Sequence, residues 1–273
     1  MVTLGAAALE PFPRVARYNS PYRAHRGGRA IDLYPGTAVA PSPVAGTVTM
    51  TRQAGAPSRP YAAEHDYLIV IDTGSELARI LHVDPDVEAG ETVEIGDPLG
   101  SLVRSGYFAP WVDNHVHLGF REYGTDPVRA SGSLPVELGV PVAGVGWDGT
   151  GTIREAGETY ATLDSPPHPT PGDRFVGLAD DTGQYVLDGG LPHYETGGVH
   201  PVHGREGDGA ASLLGTELTP GTGTVEWPDL TVRVNGQPIT GLSLLLGRDR
   251  FGAKLICPDL ACSVGESVTV TVS

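Results

Sequence analysis

Hydrophobic and polar residues alternate along the chain in short stretches, and most of those stretches end at a glycine or a proline. Gly46-Thr47-Val48-Thr49-Met50, Tyr67-Leu68-Ile69-Val70-Ile71, Thr231-Val232-Arg233-Val234 and Ser267-Val268-Thr269-Val270-Thr271-Val272 read as strands, being β-branched or alternating in period two. Asn235-Gly236, between Thr231–Val234 and Pro238-Ile239-Thr240, is a hairpin signal. No stretch keeps a helical period for more than a few turns, and Gly 38 and Pro 24 leave long helices little room. The expected fold class is all-β.

Composition shifts divide the 273 residues. Small residues, prolines and glycines run from Asp126-Pro127 to Pro141, and prolines cluster again from Asp164 to Asp173, where they remove N–H donors and favour extended backbone. The expected organisation is a first domain over 12–130, a linker or extension over 131–173, and a small β-rich region of unknown role over 174–273.

The candidate chemistry centres on Asn114-His115-Val116-His117-Leu118. In a strand, residues two apart project from one face, so His115 and His117 would point together. Upstream lie His25 and Asp32, in His25-Arg26-Gly27-Gly28-Arg29-Ala30-Ile31-Asp32, and His82 in Ile80-Leu81-His82-Val83. Two imidazoles and a carboxylate around an open fourth position describe a catalytic zinc site, beside which two further imidazoles would serve as acid/base groups.

From about Tyr18 to Glu122 the chain resembles the lysostaphin-type zinc endopeptidases, which cut glycine-containing peptide bonds, usually in bacterial cell-wall cross-bridges. The resemblance is carried by order: Ala30-Ile31-Asp32-Leu33-Tyr34-Pro35-Gly36-Thr37, then Val44-Ala45-Gly46-Thr47-Val48, the His82 strand, the hairpin phrase Glu91-Thr92-Val93-Glu94-Ile95-Gly96-Asp97-Pro98-Leu99-Gly100, and His115-x-His117. It implies a sheet-and-hairpin barrel domain, zinc held by His25, Asp32 and His117, and catalytic roles for His82 and His115. The implied substrate is a peptide or peptidoglycan-like polymer. In that family the aspartate usually follows the first histidine by four residues, whereas Asp32 follows His25 by seven. Either the glycine-rich Arg26-Gly27-Gly28-Arg29 is a bulged insertion, whose backbone angles glycines permit and which would still let His25 reach the site, or the first ligand has been lost.

If the site is intact, zinc would acidify its water to a pKa of about 7, His115 would take a proton from it and pass it to the leaving amine, and His82 would stabilise the oxyanion or share the proton duty. Tyr107, Phe108 and Trp111 would wall the cleft. Three other readings compete. A catalytically degenerate relative could keep the fold as a binding or scaffolding module. A phosphotransfer domain with paired histidines would leave Asp32 and His117 superfluous. A lipoyl-type carrier needs a lysine at a hairpin tip, and Lys254, the single lysine, is in no such phrase.

The net charge of −15, with Asp+Glu 33 against Lys+Arg 18, opposes nucleic-acid binding, which needs clustered cations. An acidic surface nearly free of lysine is expected of a salt-adapted organism, where self-repulsion is screened. The start, Met1 to Glu10, lacks a basic segment and a sustained apolar core, so the expected location is cytoplasmic, with no membrane partner. His65, between Glu64 and Asp66 in a polar turn, and His168 read as solvated loop residues. His193, His200 and His203 share a loop-like run that could hold a second metal. Cys257 and Cys262 could close a small disulfide loop, and reduced thiols are preferred.

Overall fold

The computed structural model describes residues 1–129, 131–202, 211–220 and 224–273. It is all-β: among the described residues the only α-helix is the four-residue Ala6–Leu9. The chain divides into two compact units, one formed by Met1–Val15 and Gly28–Gly139, the other by Ala16–Gly27 and Val140–Ser273.

The first unit is built on antiparallel strands β1 (Ile31–Tyr34), β2 (Gly46–Ala54), β3 (Asp66–Asp72), β4 (Leu77–Leu81), β5 (Thr92–Val93) and β6 (Val116–Arg121). Their order across the sheet is β1-β6-β4-β3-β2-β5. Ile31, Leu33, Val116, Leu118 and Phe120 alternate onto one face and are buried, as are Ile69, Ile71 and Ile80. Each such side chain removed from water contributes about 1.5–3 kcal/mol. The opposite face of β1 and β6 therefore carries Asp32 and His117.

The chain that leaves β4 enters a small three-stranded sheet. Pro98–Leu102 pairs with Val39–Pro41 on one side and with Val83–Pro85 on the other. Gly100, at φ +142°, is required here, because a Cβ would lie 2.0 Å from the carbonyl oxygen of Asp84. The Glu91–Gly100 phrase thus anchors the segment directly after His82. Among the described residues the sheets stay open, and the barrel implied by the resemblance is corrected to open sheets joined by hairpins.

The second unit has its own core, from Ile153 and Leu163 through Leu187, Leu191 and Leu242 to Val268 and Val270. Residues 131–173, read from sequence as a linker or extension, carry the strands Val136–Leu138, Val142–Val145, Thr150–Ala156 and Tyr160–Leu163. The Asn235-Gly236 hairpin forms as expected, with φ of +49° and +81° at its two turn residues and Val232–Val234 paired to Gln237–Ile239. Two positive φ values in a two-residue loop match the right-handed twist of the strands. Cys257 and Cys262 are free thiols whose sulfurs lie 3.6 Å apart. Burial first, and then Cys262, push the Cys257 thiol up to about 12.

Candidate metal centre

Strand register assembles the centre of the site. His117 on β6 lies directly across from Asp32 on β1 and from Leu81 on β4. His115, two residues before His117, shares its face. Asp32 Oδ1 therefore meets two imidazoles, His117 Nδ1 at 2.9 Å and His115 Nε2 at 3.3 Å. His115 Nδ1 faces the Asp113 carbonyl oxygen at 2.9 Å, so that nitrogen is the N–H donor. In a neutral ring its Nε2 is then a lone pair directed at a carboxylate oxygen.

His82 enters from the end of β4 by an unusual backbone. Its φ is +70°, a left-handed conformation that costs a non-glycine residue about 1–3 kcal/mol. Hydrogen bonds on both sides pin it, from its own N–H to the Tyr67 carbonyl and from the Val103 N–H to its carbonyl. The ring is thereby turned towards His115 and His117, with centroids 5.5 and 5.8 Å away. Its Nδ1 lies 2.7 Å from Asp66 Oδ2. Burial pushes the His82 pKa below its ordinary value against the opposing pull of Asp66, which leaves the imidazole neutral near pH 7. Burial alone would raise the Asp66 carboxyl, but the hydrogen bond and charge of His82, the Ser105 hydroxyl and the Tyr67 amide outweigh it and hold it below the ordinary value.

His25 lies in a turn-rich stretch of the Ala16–Gly27 segment. Gly27 and Gly28 adopt φ of +78° and +62°, the left-handed values for which the glycine-rich insertion was expected to be needed. The ring is 2% exposed, and its Nδ1 faces the Arg17 carbonyl oxygen at 2.7 Å. That bond makes Nδ1 the donor and directs the lone pair to Nε2, the arrangement of a metal-ligating histidine fixed from behind. One ligand atom each from His25, Asp32 and His117 all lie within 4.8 Å of one another. Two imidazoles and a carboxylate are donors that zinc takes, so the chemistry of this set fits the metal.

Phe108 packs against His115 and His82, at 4.4 and 4.7 Å between ring centroids, and Tyr107 lies 6.3 Å from His82. Trp111 is half-buried. Tyr34, which composition did not single out, stands 4.9 Å from His115. Sequence reasoning also missed Asp66 and Ser105. Asp66 read as part of a polar turn, whereas it opens β3 and is 1% exposed. Its signal was positional, an acidic residue at the head of the strand that pairs with the His82 strand.

His65 is exposed, as expected, whereas His168 is half-buried, its Nε2 facing the Arg174 carbonyl oxygen at 3.1 Å and its Nδ1 accepting the Thr170 N–H at 3.1 Å. Of the second-metal candidates, His200 is bonded to Asp188 at 3.0 Å and His193 packs on Tyr194, while His203 lies outside the described residues. Among the described residues His25, Asp32 and His117 are the one group with metal-ligating geometry.

Residues 3–138 match the family model described as domain of unknown function (DUF8155) N-terminal domain, and residues 143–273 match the corresponding C-terminal domain. The chain belongs to the DUF8155 family. The junction between the two matches brackets the Gly139/Val140 boundary of the compact units. No protein with a curated description matches the chain. No helix among the described residues is long and apolar enough to cross a membrane.

Proposed function

We propose that the chain is a zinc-dependent hydrolase of peptide bonds, of lysostaphin type, with glycine-containing peptides as its substrate class. The observation that carries this reading is the convergence of His117 Nδ1 and His115 Nε2 on one oxygen of Asp32, with His82 beside them. Two buried imidazoles and a half-buried one beside a buried carboxylate make a cluster of titratable groups of the kind that marks functional sites.

His25, Asp32 and His117 would hold the metal. A zinc ion there would supply a Lewis acid for the scissile carbonyl and would lower the pKa of water to about 7. Protons compete with the metal for imidazole and carboxylate ligands, so zinc affinity would fall as pH is lowered. His82 and His115 would accept a proton from the attacking water and return it to the amine that leaves. Phe108 shields both rings from bulk solvent, which strengthens the electrostatics within.

Cleavage of a pentaglycine-containing peptide by the full chain, followed by mass spectrometry, tests this reading. The expected result is hydrolysis that a chelator abolishes and added zinc restores. Absence of cleavage by zinc-loaded protein on glycine-rich and mixed peptides alike would overturn it.

A further inference from the structure

The two non-ligand imidazoles are not equivalent. His115 is backed by a neutral group, the Asp113 carbonyl, and its Nε2 is turned to Asp32 at 3.3 Å. His82 is backed by a carboxylate, Asp66, at 2.7 Å. Asp66 is itself fixed at three points. Its Oδ1 accepts the Tyr67 N–H at 2.8 Å, and its Oδ2 accepts both the Ser105 hydroxyl at 2.5 Å and the His82 N–H. Asp66 and Ser105 are each 1% exposed, so this carboxylate is committed to the interior with no role at the surface.

We propose that Asp66, locked by Ser105 and the Tyr67 amide, is the positioning carboxylate that makes His82 the proton-transferring histidine of the site. The assignment rests on the hydrolase reading and separates roles that the order of motifs left shared. With Nδ1–H donated to Asp66, the lone pair of His82 resides on Nε2. There it takes one proton from the attacking water. The imidazolium so formed is balanced by the Asp66 charge, and the same proton passes to the nitrogen of the leaving amine, which restores neutral His82. The strained φ at His82 fits this use, because it aims the ring at His115 and His117 while leaving Nδ1 on Asp66. Ser105 acts through Asp66 alone and is likewise a positioning residue.

The replacement Asp66→Asn separates this role from a merely structural one. With its oxygen still on the Tyr67 N–H, the new amide would present N–H groups where Oδ2 accepted, and His82 would have to switch its proton from Nδ1 to Nε2. Nitrogen NMR of the zinc-loaded, 15N-labelled full chain reads the tautomer, with His82→Gln assigning the signals. The expected result is an Nδ1-protonated His82 in the unmodified protein and an Nε2-protonated one in Asp66→Asn, with zinc content unchanged. Turnover of the glycine peptide should fall about 10²- to 10⁴-fold with KM little changed, and Asp66→Asn should cost nothing further when added to His82→Gln. An Nε2-protonated His82 in the unmodified chain, or a tautomer indifferent to Asp66→Asn, overturns the proposal. So does an additive loss in the double variant. Failure of the unmodified chain to cleave any peptide would overturn the hydrolase reading instead, and the tautomer result would still decide whether Asp66 positions His82.

Discussion

Each unit of the chain buries an aspartate–histidine pair. In the first, Asp66 and His82 are 1% and 5% exposed and 2.7 Å apart; in the second, Asp188 and His200 are 0% and 6% exposed and 3.0 Å apart. What differs is the surroundings. Asp188 spends its remaining capacity on backbone, accepting the Arg17 N–H at 2.8 Å and the Tyr18 N–H at 3.4 Å, and His200 meets the edge of the Tyr18 ring. Both of its residues lie within regular paired strands, Tyr185–Leu191 and Thr196–Pro201. His82 instead leaves its strand at a positive φ and faces two more imidazoles. On the proposed reading, the same buried pair is a fastening in the second unit and would handle a proton in the first, where its neighbours are further imidazoles.

The largest effect that separates the two is expected from removing a ligand. His117→Ala should lower zinc affinity by more than about a hundredfold and abolish peptide cleavage with it, whereas His200→Ala should leave both near the level of the unmodified chain. Isothermal titration with zinc checks this; a matching loss in the two variants would erase the distinction. Next in size is Asp188→Ala, which strands two buried amides and an imidazole. It should cost about 3–5 kcal/mol in urea denaturation.

A smaller, pH-dependent effect belongs to the second unit. Burial pulls the His193 imidazole down to about 4. The unfolded chain, with its histidine near 6.5, then takes up a proton before the folded one does, so stability is full above about pH 6.5 and declines as pH falls towards 4. His82, lowered in the same direction, adds to that slope in metal-free protein. His193→Gln should flatten it by an amount on the order of 2 kcal/mol, measured as denaturation midpoints from pH 7 to pH 4. Smallest of all, His200→Gln keeps a donor for Asp188 and should cost only about 1 kcal/mol.

Much of this contrast was legible in the chain, and what was not has physical reasons. Period-two geometry brought His115 and His117 to one face, and the glycines after His25 forecast the left-handed turn that Gly27 and Gly28 adopt. The strands and the Asn235-Gly236 hairpin followed from alternation and turn chemistry. Asp66 was hidden because its value depends on which strand pairs with which: β3 lies beside β4, and only that pairing puts its first residue behind His82. The positive φ of His82 was equally silent, since it is imposed by the Tyr67 and Val103 hydrogen bonds and not by local sequence. In the second half, strands ran through the proline-rich 131–173 because short strands tolerate prolines at their ends.

The central claim is that His25, Asp32 and His117 form a zinc site, and the metal content of the full chain tests it most directly. Purified without affinity-tag metals, equilibrated with zinc, desalted and measured by inductively coupled plasma mass spectrometry, the chain should retain one zinc per molecule, and the His117→Ala variant none. Zinc absent from the unmodified chain, or retained in full by the variant, would contradict the account.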